Sequence, residues 1–173
     1  GYPKTSIRQV VEACGCTKPA LYYYFANKEE LFNETVRAER EVMADLLRQL
    51  VESQGTLRQR LVEGMKRFVA HAEANKAKLQ LLRRVDLQID EQSPEVQEEC
   101  AGARELHMRF LESFFEQGIA DGEVREDVSP RDCAIALAGT VDLQIQLWLQ
   151  GEPWSVEGIQ RTINLIFDGI AQR

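Results

Sequence analysis

The sequence has few histidines and cysteines and no long apolar run, and each shortage excludes a class of protein. Its 173 residues include 2 histidines and 4 cysteines. Those cysteines lack the paired spacing of zinc ligands, so we expect four reduced thiols in or near the core: Cys14, Cys16, Cys100 and Cys133. There is no apolar run of about 18 residues and no signal peptide, which favours a cytoplasmic protein without membrane contact.

Motifs that carry enzyme chemistry are missing too. The chain has no H-E-x-x-H, no phosphate-binding loop and no nucleophile elbow. Four residues could in principle pair for acid–base work, but nothing fixes them at a diagnostic spacing: Glu63, His71, Asp86 and His107. We therefore predict a protein that is not an enzyme, with no catalytic residue, no metal and no cofactor.

Charge is distributed unevenly along the chain. The net charge is −7, yet residues 1–28 hold four cations, Lys4, Arg8, Lys18 and Lys28, against Glu12, which makes +3 and leaves −10 for the remainder. A basic end on an acidic body is typical of a DNA-binding protein with a separate regulatory part. Four scattered cations without a common role remain the alternative, and charge alone does not decide between them.

Apolar residues recur at helical spacing throughout, and no segment alternates like a strand, so the sequence predicts an all-α fold. The first two helices are short. Ser6 and Gln9 form a capping box, Gly15 supplies a left-handed helix end, and Thr17 caps the second helix with Pro19 in its first turn. Longer helices follow at about 28–50, 56–75, 76–89, 94–120 and 132–150, with a last one after Ser155.

Two short helices around a glycine turn form a helix-turn-helix pattern, and the residues here are more specific than that pattern alone. The run is Cys14-Gly15-Cys16-Thr17, then Leu21-Tyr22-Tyr23-Tyr24-Phe25, then Lys28-Glu29-Glu30-Leu31. It closely resembles the DNA-binding region of the TetR family of bacterial regulators. The turn from Gly118 to Pro130 is a second point of resemblance. In that family another helix precedes the motif. Since this chain starts at Gly1-Tyr2-Pro3, like the loop after that helix, we expect the first helix to be absent from it.

The resemblance implies a helix-turn-helix domain at residues 1–46, with its motif at 6–25, and an effector-binding and dimerisation domain at 47–173. It implies a homodimer that binds double-stranded DNA at a palindromic operator, most simply a repressor released by a small-molecule effector. By resemblance, the DNA contacts fall on Thr5, Ser6, Arg8, Thr17, Lys18, Pro19, Ala20, Tyr22, Tyr23, Tyr24 and Lys28. Tyr22 has a second interpretation, as a residue packed inward beside Leu21.

Two further sets of residues complete the hypothesis. The expected effector cavity is lined by Phe68, His71, Leu82, Asp86, His107, Phe110, Phe114 and Trp148, each of which could equally be ordinary core. The expected dimer interface lies on the last two helices, at Ile135, Ala138, Gly139, Leu143, Trp148, Ile159, Ile163, Ile166 and Phe167. A helical protein-interaction module without DNA binding is the alternative function, although it leaves the tyrosine-rich basic end unexplained.

Overall fold

The computed structural model describes residue 2 and residues 5–170. Gly1, Pro3 and Lys4, which entered the arguments about the start of the chain and its charge, lie outside the described residues. Within those residues the fold is all-α with no β-strand, which confirms the predicted class.

Eight α-helices follow one another along the described residues. They are α1 (Ile7–Cys14), α2 (Lys18–Tyr24), α3 (Lys28–Glu52), α4 (Leu57–Ala74), α5 (Lys76–Leu87), α6 (Pro94–Ala120), α7 (Pro130–Leu149) and α8 (Val156–Ile170), with a short 3-10 helix at Ile89–Glu91 between α5 and α6. The predicted domain boundary at residue 46 falls inside the continuous helix α3. That helix therefore belongs both to the amino-terminal end and to the body.

The caps of α1 and α2 form as the sequence predicts. The Ser6 hydroxyl accepts a hydrogen bond from the Gln9 backbone N–H at 3.2 Å, and the Gln9 side chain accepts one from the Ser6 N–H at 2.8 Å. Gly15 ends α1 with φ +64°, a left-handed conformation that costs glycine little. Thr17 then caps α2 through the Ala20 N–H. These local bonds set the angle between the two helices.

Helix α3 begins at Asn27, whose side chain accepts a hydrogen bond from the Glu30 N–H at 2.9 Å. Only half of a capping box forms here, because the Glu30 carboxylate accepts from the Ala26 N–H instead of from the Asn27 N–H. Either way, a carboxylate occupies the end of the helix where unpaired N–H groups concentrate.

The body holds two main cores. The larger lies between α4, α6, α7 and α8 and includes Leu57, Leu61, Phe114, Phe115 and Ile163, each 2% exposed or less. The smaller one joins α3 to α5 and α6 and includes Val36, Leu82, Val85, Val96 and Cys100.

The four cysteines are all unpaired, but the expectation that all lie in or near the core is wrong for two of them. Cys100 and Cys133 are buried, and burial raises the pKa of both thiols. Cys14 and Cys16 are exposed, since they stand at the end of α1 and in the turn after it, where none of the described helices covers them.

Within residues 2 and 5–170, none of the helices is apolar over enough of its length to cross a membrane. Helix α7 comes nearest in composition. It buries Ala134, Leu137 and Ile145 in its own subunit and leaves Ile135 and Leu143 exposed, so the described residues do not cover part of its apolar surface.

Candidate nucleic-acid interface and effector region

Helix α2 points its aromatic and polar face outward. Leu21 is its buried residue, and it fixes the helix against its neighbours. The three tyrosines that follow, Tyr22, Tyr23 and Tyr24, are 48%, 83% and 74% exposed. The Tyr23 and Tyr24 rings meet edge to face with centroids 5.1 Å apart. Tyr22 is thus not packed inward, and the hydroxyls of this row are available to phosphate oxygens.

The rest of the predicted contact surface is arranged around this row. Lys18, Pro19 and Ala20 occupy the exposed first turn of α2. A cation and small apolar groups at the start of a helix suit the edges of base pairs in a major groove. Thr17 is exposed as well, but its hydroxyl already caps the helix.

Helix α1 contributes two further predicted contacts whose side chains are engaged within the chain. Arg8 Nε donates to Glu12 Oε1 at 2.7 Å, in an exposed pair one helical turn apart. Such a surface pair is worth little, so a phosphate could take Arg8 from Glu12 at small cost. The Ser6 hydroxyl belongs to the cap. Thr5, half-buried, precedes it.

Lys28 is bonded inside the chain. Its Nζ donates to the Tyr2 backbone carbonyl at 2.5 Å and lies 4.2 Å from the centre of the Tyr2 ring. That ring in turn contacts Phe32, with centroids 4.6 Å apart. The ammonium group thus ties the start of α3 to the segment before α1, and a phosphate contact by Lys28 would have to share or replace this bond.

The positive charge of the amino-terminal end does not extend into α3. Glu29 and Glu30 stand in its first turn and Glu34 in the next, where Glu34 pairs with Arg37. The basic surface is therefore restricted to α1, α2 and the first residue of α3, and any nucleic acid bound there would be confined to that end of the molecule.

The predicted effector residues are divided among three apolar clusters. Phe114 lies in the large core, where the Arg60 guanidinium stands 4.7 Å from its ring centre. Leu82 lies in the smaller core with α3. Phe68 and Trp148 pack against a third cluster of Ala72, Leu79 and Ile145. The eight residues therefore do not form one continuous lining.

The third cluster contains both tryptophans of the chain, and each of them is half-buried. The Trp148 and Trp154 ring centres are 5.1 Å apart, and Phe68 lies 5.9 Å from Trp154. Lys76 Nζ stands 4.4 Å from the Trp148 ring centre. The Trp154 Nε1 is shielded from solvent and has no hydrogen-bond acceptor among the described residues, although it is a donor that normally finds one. Trp154 was not among the residues predicted from the sequence.

Two of the predicted polar liners instead hold α3. His71 Nε2 lies 2.7 Å from Glu39 Oε1, and Arg40 Nη2 donates to Asp86 Oδ1 at 2.7 Å. Arg40 Nη2 also contacts Cys100 Sγ at 3.0 Å, while its Nε is buried without an acceptor. Neither Glu39 nor Arg40 was predicted as functional. The signal for Glu39 was present, since it interrupts the inward stripe of α3 at regular spacing: Val36, Glu39, Met43, Leu46 and Leu50.

Phe110 and His107 lie on the part of α6 that is less covered. Phe110 is half-buried. His107 is an exposed residue overall, and partial desolvation of its imidazole by the surrounding protein lowers its pKa. A depression of about 480 Å³ opens nearby, where Phe114 meets the α3–α4 turn and Arg60. Within the part of the chain that the structure describes, no group of three metal-ligating side chains converges.

Comparison with known proteins agrees with this geometry. Residues 1–35, which contain α1, α2 and the start of α3, match the model of bacterial regulatory proteins of the tetR family. The helix-turn-helix segment of this chain therefore carries the sequence pattern of that family. The matched family consists of regulatory proteins, which are a non-enzyme kind of protein.

Similarity to known proteins extends beyond the helix-turn-helix segment into the body. The fatty acid metabolism regulator protein of Bacillus subtilis (strain 168) is 17% identical over 152 residues, which are 88% of this chain and 77% of that protein. The TetR-family regulator PfmR of Thermus thermophilus superposes with a TM-score of 0.79 at 22% identity, over 97% of this chain and 90% of that one.

Two similar structures were solved with acyl-coenzyme A ligands. The regulator FadR of Bacillus subtilis in complex with stearoyl-CoA has a TM-score of 0.77 at 17% identity, over 98% of this chain and 91% of that one. AibR in complex with isovaleryl coenzyme A and operator DNA has a TM-score of 0.72 at 21% identity, over 96% and 89%. At these identities the likeness establishes a shared fold.

The last two helices carry an apolar stripe that the described residues leave uncovered. Ile135, Gly139 and Leu143 follow one another at four-residue spacing on α7, and both large side chains are more than half exposed. A side chain added at Gly139 would meet nothing within 4 Å. Leu165 on α8 is exposed as well, at 77%, and was missed because its neighbours in sequence are mixed in polarity.

Three residues predicted for the dimer interface belong instead to the subunit's own core. Ile159, Ile163 and Phe167 are 3% exposed or less, because α8 turns its apolar face onto α4 and α6. They have almost no surface left to offer a second copy. Three other residues predicted for the interface are half-buried and lie on the same two helices as the uncovered stripe: Ala138, Trp148 and Ile166.

Proposed function

We propose that this chain is a DNA-binding transcriptional repressor that acts as a homodimer on a palindromic operator and leaves it when a small-molecule effector binds. The observation that carries the proposal is the outward face of α2, which lies within the segment that matches the tetR family. The tetR-family match of residues 1–35 and the similar structures solved with acyl-coenzyme A ligands support a ligand-responsive regulator.

In this proposal α2 enters the major groove. Lys18 reaches a guanine edge or a phosphate, Pro19 and Ala20 contact a thymine methyl group, and the tyrosine hydroxyls bind phosphate oxygens. Thr5, Ser6 and Arg8 contact the backbone from α1, with Thr17 and Lys28 at the adjoining helix ends. Residues 1–46 form the DNA-binding domain and residues 47–173 the effector-binding and dimerisation domain.

Two copies are needed because one short helix covers only half of a palindrome. The recognition helices of a dimer must reach successive major grooves about 34–36 Å apart. The uncovered stripe at Ile135, Gly139 and Leu143 supports a twofold contact through α7, since an isologous interface needs a self-complementary apolar patch. Leu165 extends the same surface onto α8.

We assign the effector to the acyl-coenzyme A class, with its binding region in the body. The support is the pair of similar structures that hold stearoyl-CoA and isovaleryl coenzyme A. In this chain, the half-buried aromatic cluster of Phe68, Trp148 and Trp154 offers apolar walls. The Trp154 N–H, which has no acceptor among the described residues, offers a donor to an acceptor on the ligand. Binding there would favour a subunit spacing that no longer fits two grooves. Such a regulator acts in the cytoplasm.

The DNA-binding part is tested by selecting duplexes from a random-sequence pool with the full-length protein. The expected result is a palindrome, bound as one dimer with strong salt dependence. The matched variant Tyr23→Ala should weaken that complex, while the body variant Leu87→Ala, at an equally exposed position, should not. A folded dimer that selects no sequence would instead favour the protein-interaction module.

The effector part has a readout in the protein itself. Because both tryptophans lie in the aromatic cluster, stearoyl-CoA or isovaleryl-CoA bound there should change the intrinsic fluorescence and release the operator at the same concentrations. Free coenzyme A is the control for the nucleotide alone. If neither thioester changes the tryptophan fluorescence or releases the operator, this class of effector is ruled out. The DNA-binding proposal would remain intact.

A further inference from the structure

Glu39 is buried in the middle of α3, where a carboxylate is costly. It is 3% exposed and stands out as the buried charged residue among the described side chains. It takes the place of an apolar residue in the inward stripe of that helix. A carboxylate at such a position is tolerated only when hydrogen bonds and opposite charges compensate it.

That compensation comes from two other helices. His71 of α4 approaches Glu39 Oε1 with its Nε2 at 2.7 Å, and Lys78 of α5 brings its Nζ within 3.5 Å of Oε2. Asn75 Nδ2 lies 3.4 Å from His71 Nδ1, so Asn75 can donate to Nδ1 while Nε2 carries the proton and donates to Glu39. This assignment of the imidazole proton, made from the hydrogen-bond network, needs no charge on the ring.

The next residue, about 100° further around the helix, adds further anchors. Arg40 donates to Asp86 of α5 at 2.7 Å and contacts Cys100 of α6. At one level, α3 is therefore held by directional bonds to α4, α5 and α6. Apolar contacts allow a helix to slide by small steps, whereas these bonds are either made or broken, which favours discrete positions of α3.

The position of α3 matters because the helix begins at the DNA-binding end. Lys28, its first residue, lies roughly 16 Å along the axis from Glu39 at 1.5 Å per residue. A small rotation at Glu39 therefore displaces α1 and α2. We propose that Glu39 is a positioning residue, which through His71 and Lys78 holds α3 in the orientation that fits the operator. This inference rests on the proposed DNA-binding function.

The test measures operator affinity and thermal stability together on the full-length protein. Glu39→Gln keeps the shape of the side chain and removes its charge, and should weaken operator binding about tenfold, within the usual range of allosteric coupling. Its control is Glu41→Gln, an exposed carboxylate two residues along the same helix, which should bind within about twofold of wild type.

Lys78→Met is the milder variant, since this lysine is half exposed and its replacement leaves the His71 bond in place. We expect operator binding to weaken about threefold, and no further change when it is added to Glu39→Gln. Its control is Lys66→Met, where an equally exposed lysine lies 3.6 Å from Glu63 on the outside of α4.

The outcomes separate the possible failures. If Glu39→Gln and Lys78→Met lower the melting temperature but bind the operator like wild type while folded, Glu39 is structural and the inference is overturned. If Glu39→Gln does not fold, Lys78→Met against Lys66→Met decides by the same criterion. If wild type selects no operator at all, the proposed function fails instead.

Discussion

The amino-terminal helix pair and the body differ in how much of their stability they can supply themselves. Helices α1 and α2 have eight and seven residues and bury one side chain each, Val11 and Leu21. Isolated helices of that length are marginal in water. The body, in contrast, has two cores of tightly packed aromatic and aliphatic residues. The helix pair is therefore a contact surface that the caps and α3 hold in place. The body is the part of the molecule that can adopt two alternative conformations.

Their surfaces differ in the same way. The helix pair exposes tyrosines and cations, which suit a polar, anionic partner. The body exposes apolar residues on α7 and α8, which suit a second copy. The comparison predicts that substitutions in the helix pair change DNA binding with little effect on global stability. Substitutions in the body should change global stability with little effect on DNA binding, unless they alter the dimer face or α3.

The largest effect should come from the dimer face. The double variant Ile135→Glu with Leu143→Glu places charges on the uncovered stripe and should dissociate the dimer, since both side chains are already exposed in the subunit. Operator affinity should fall by about 100-fold or more, because two linked half-site contacts become one. Sedimentation and fluorescence anisotropy measure the two quantities, and Leu87→Glu on α5 is the control. A variant that stays dimeric would contradict the assigned interface.

A smaller loss should follow from straining the turn of the helix pair. Gly15 has φ +64°, which a β-branched residue adopts only at a cost of about 1–2 kcal/mol. Gly15→Val should therefore weaken operator binding roughly tenfold, while calorimetry finds the unfolding of the body unchanged. Gly15→Asn tolerates the left-handed conformation and is the matched control. Equal operator affinities for the two variants would show that this turn geometry does not matter.

Removing single cations should act mainly through salt. Lys18→Ala and Lys28→Ala should each reduce the slope of log affinity against log salt by about one unit, if each neutralises one phosphate. For Lys28 this requires that the bond to the Tyr2 carbonyl be shared or given up. Lys66→Ala on the body is the control. A wild-type slope for Lys28→Ala would mean that Lys28 only ties Tyr2 to α3.

The thiols should separate the two regions chemically. A thiol reagent should modify Cys14 and Cys16 in the folded protein and reach Cys100 and Cys133 only after unfolding. Because burial raises the pKa of Cys100 and Cys133, the unfolded chain loses these protons at a lower pH than the folded one. Their contribution to stability is therefore complete at neutral pH and declines above roughly pH 8.5, where unfolded thiols ionise. Denaturant unfolding of the wild type across this pH range, compared with that of Cys100→Ala and Cys133→Ala, measures the contribution of the two thiols to stability. Equal reactivity of all four thiols in the folded protein would contradict the burial of Cys100 and Cys133.

The smallest effect should be confined to the body. Gly102 lies in an exposed part of α6 where a Cβ would meet nothing, so Gly102→Ala should add about 0.5–1 kcal/mol to stability. Operator affinity should not change. Gly118→Ala on the same helix is the opposite case, since its Cβ would lie 2.5 Å from Leu57 Cδ2, and it should destabilise the body. If the two variants shifted the melting temperature in the same direction relative to wild type, the described packing around Gly102 and Gly118 would be contradicted.

Sequence alone predicted the helix pair well and the body's sites poorly, for a physical reason. The Ser6 and Thr17 caps, the Gly15 turn and the burial of Leu21 depend on residues within four positions of each other. The interior contacts depend on which helices meet. Helix α8 has a clear apolar face in the sequence, but only packing shows that Ile163 on that face fills the subunit's own core.

The same limit applies to polar residues. His71 and Asp86 were predicted to face a ligand, whereas they hold Glu39 and Arg40, whose partners lie 32 and 46 positions away. Glu39 could have been found from its place in an apolar stripe. Trp154 gave no such signal, because it lies in the turn between α7 and α8 and owes its surroundings to Phe68 and Trp148.

The most direct test is protection of a selected operator from nuclease cleavage by the full-length protein, with and without stearoyl-CoA. The account predicts two protected half-sites related by twofold symmetry, with centres about one helical turn apart, and loss of both together when the thioester is added. Protection of a single half-site, or no protection by a folded dimer, would contradict it.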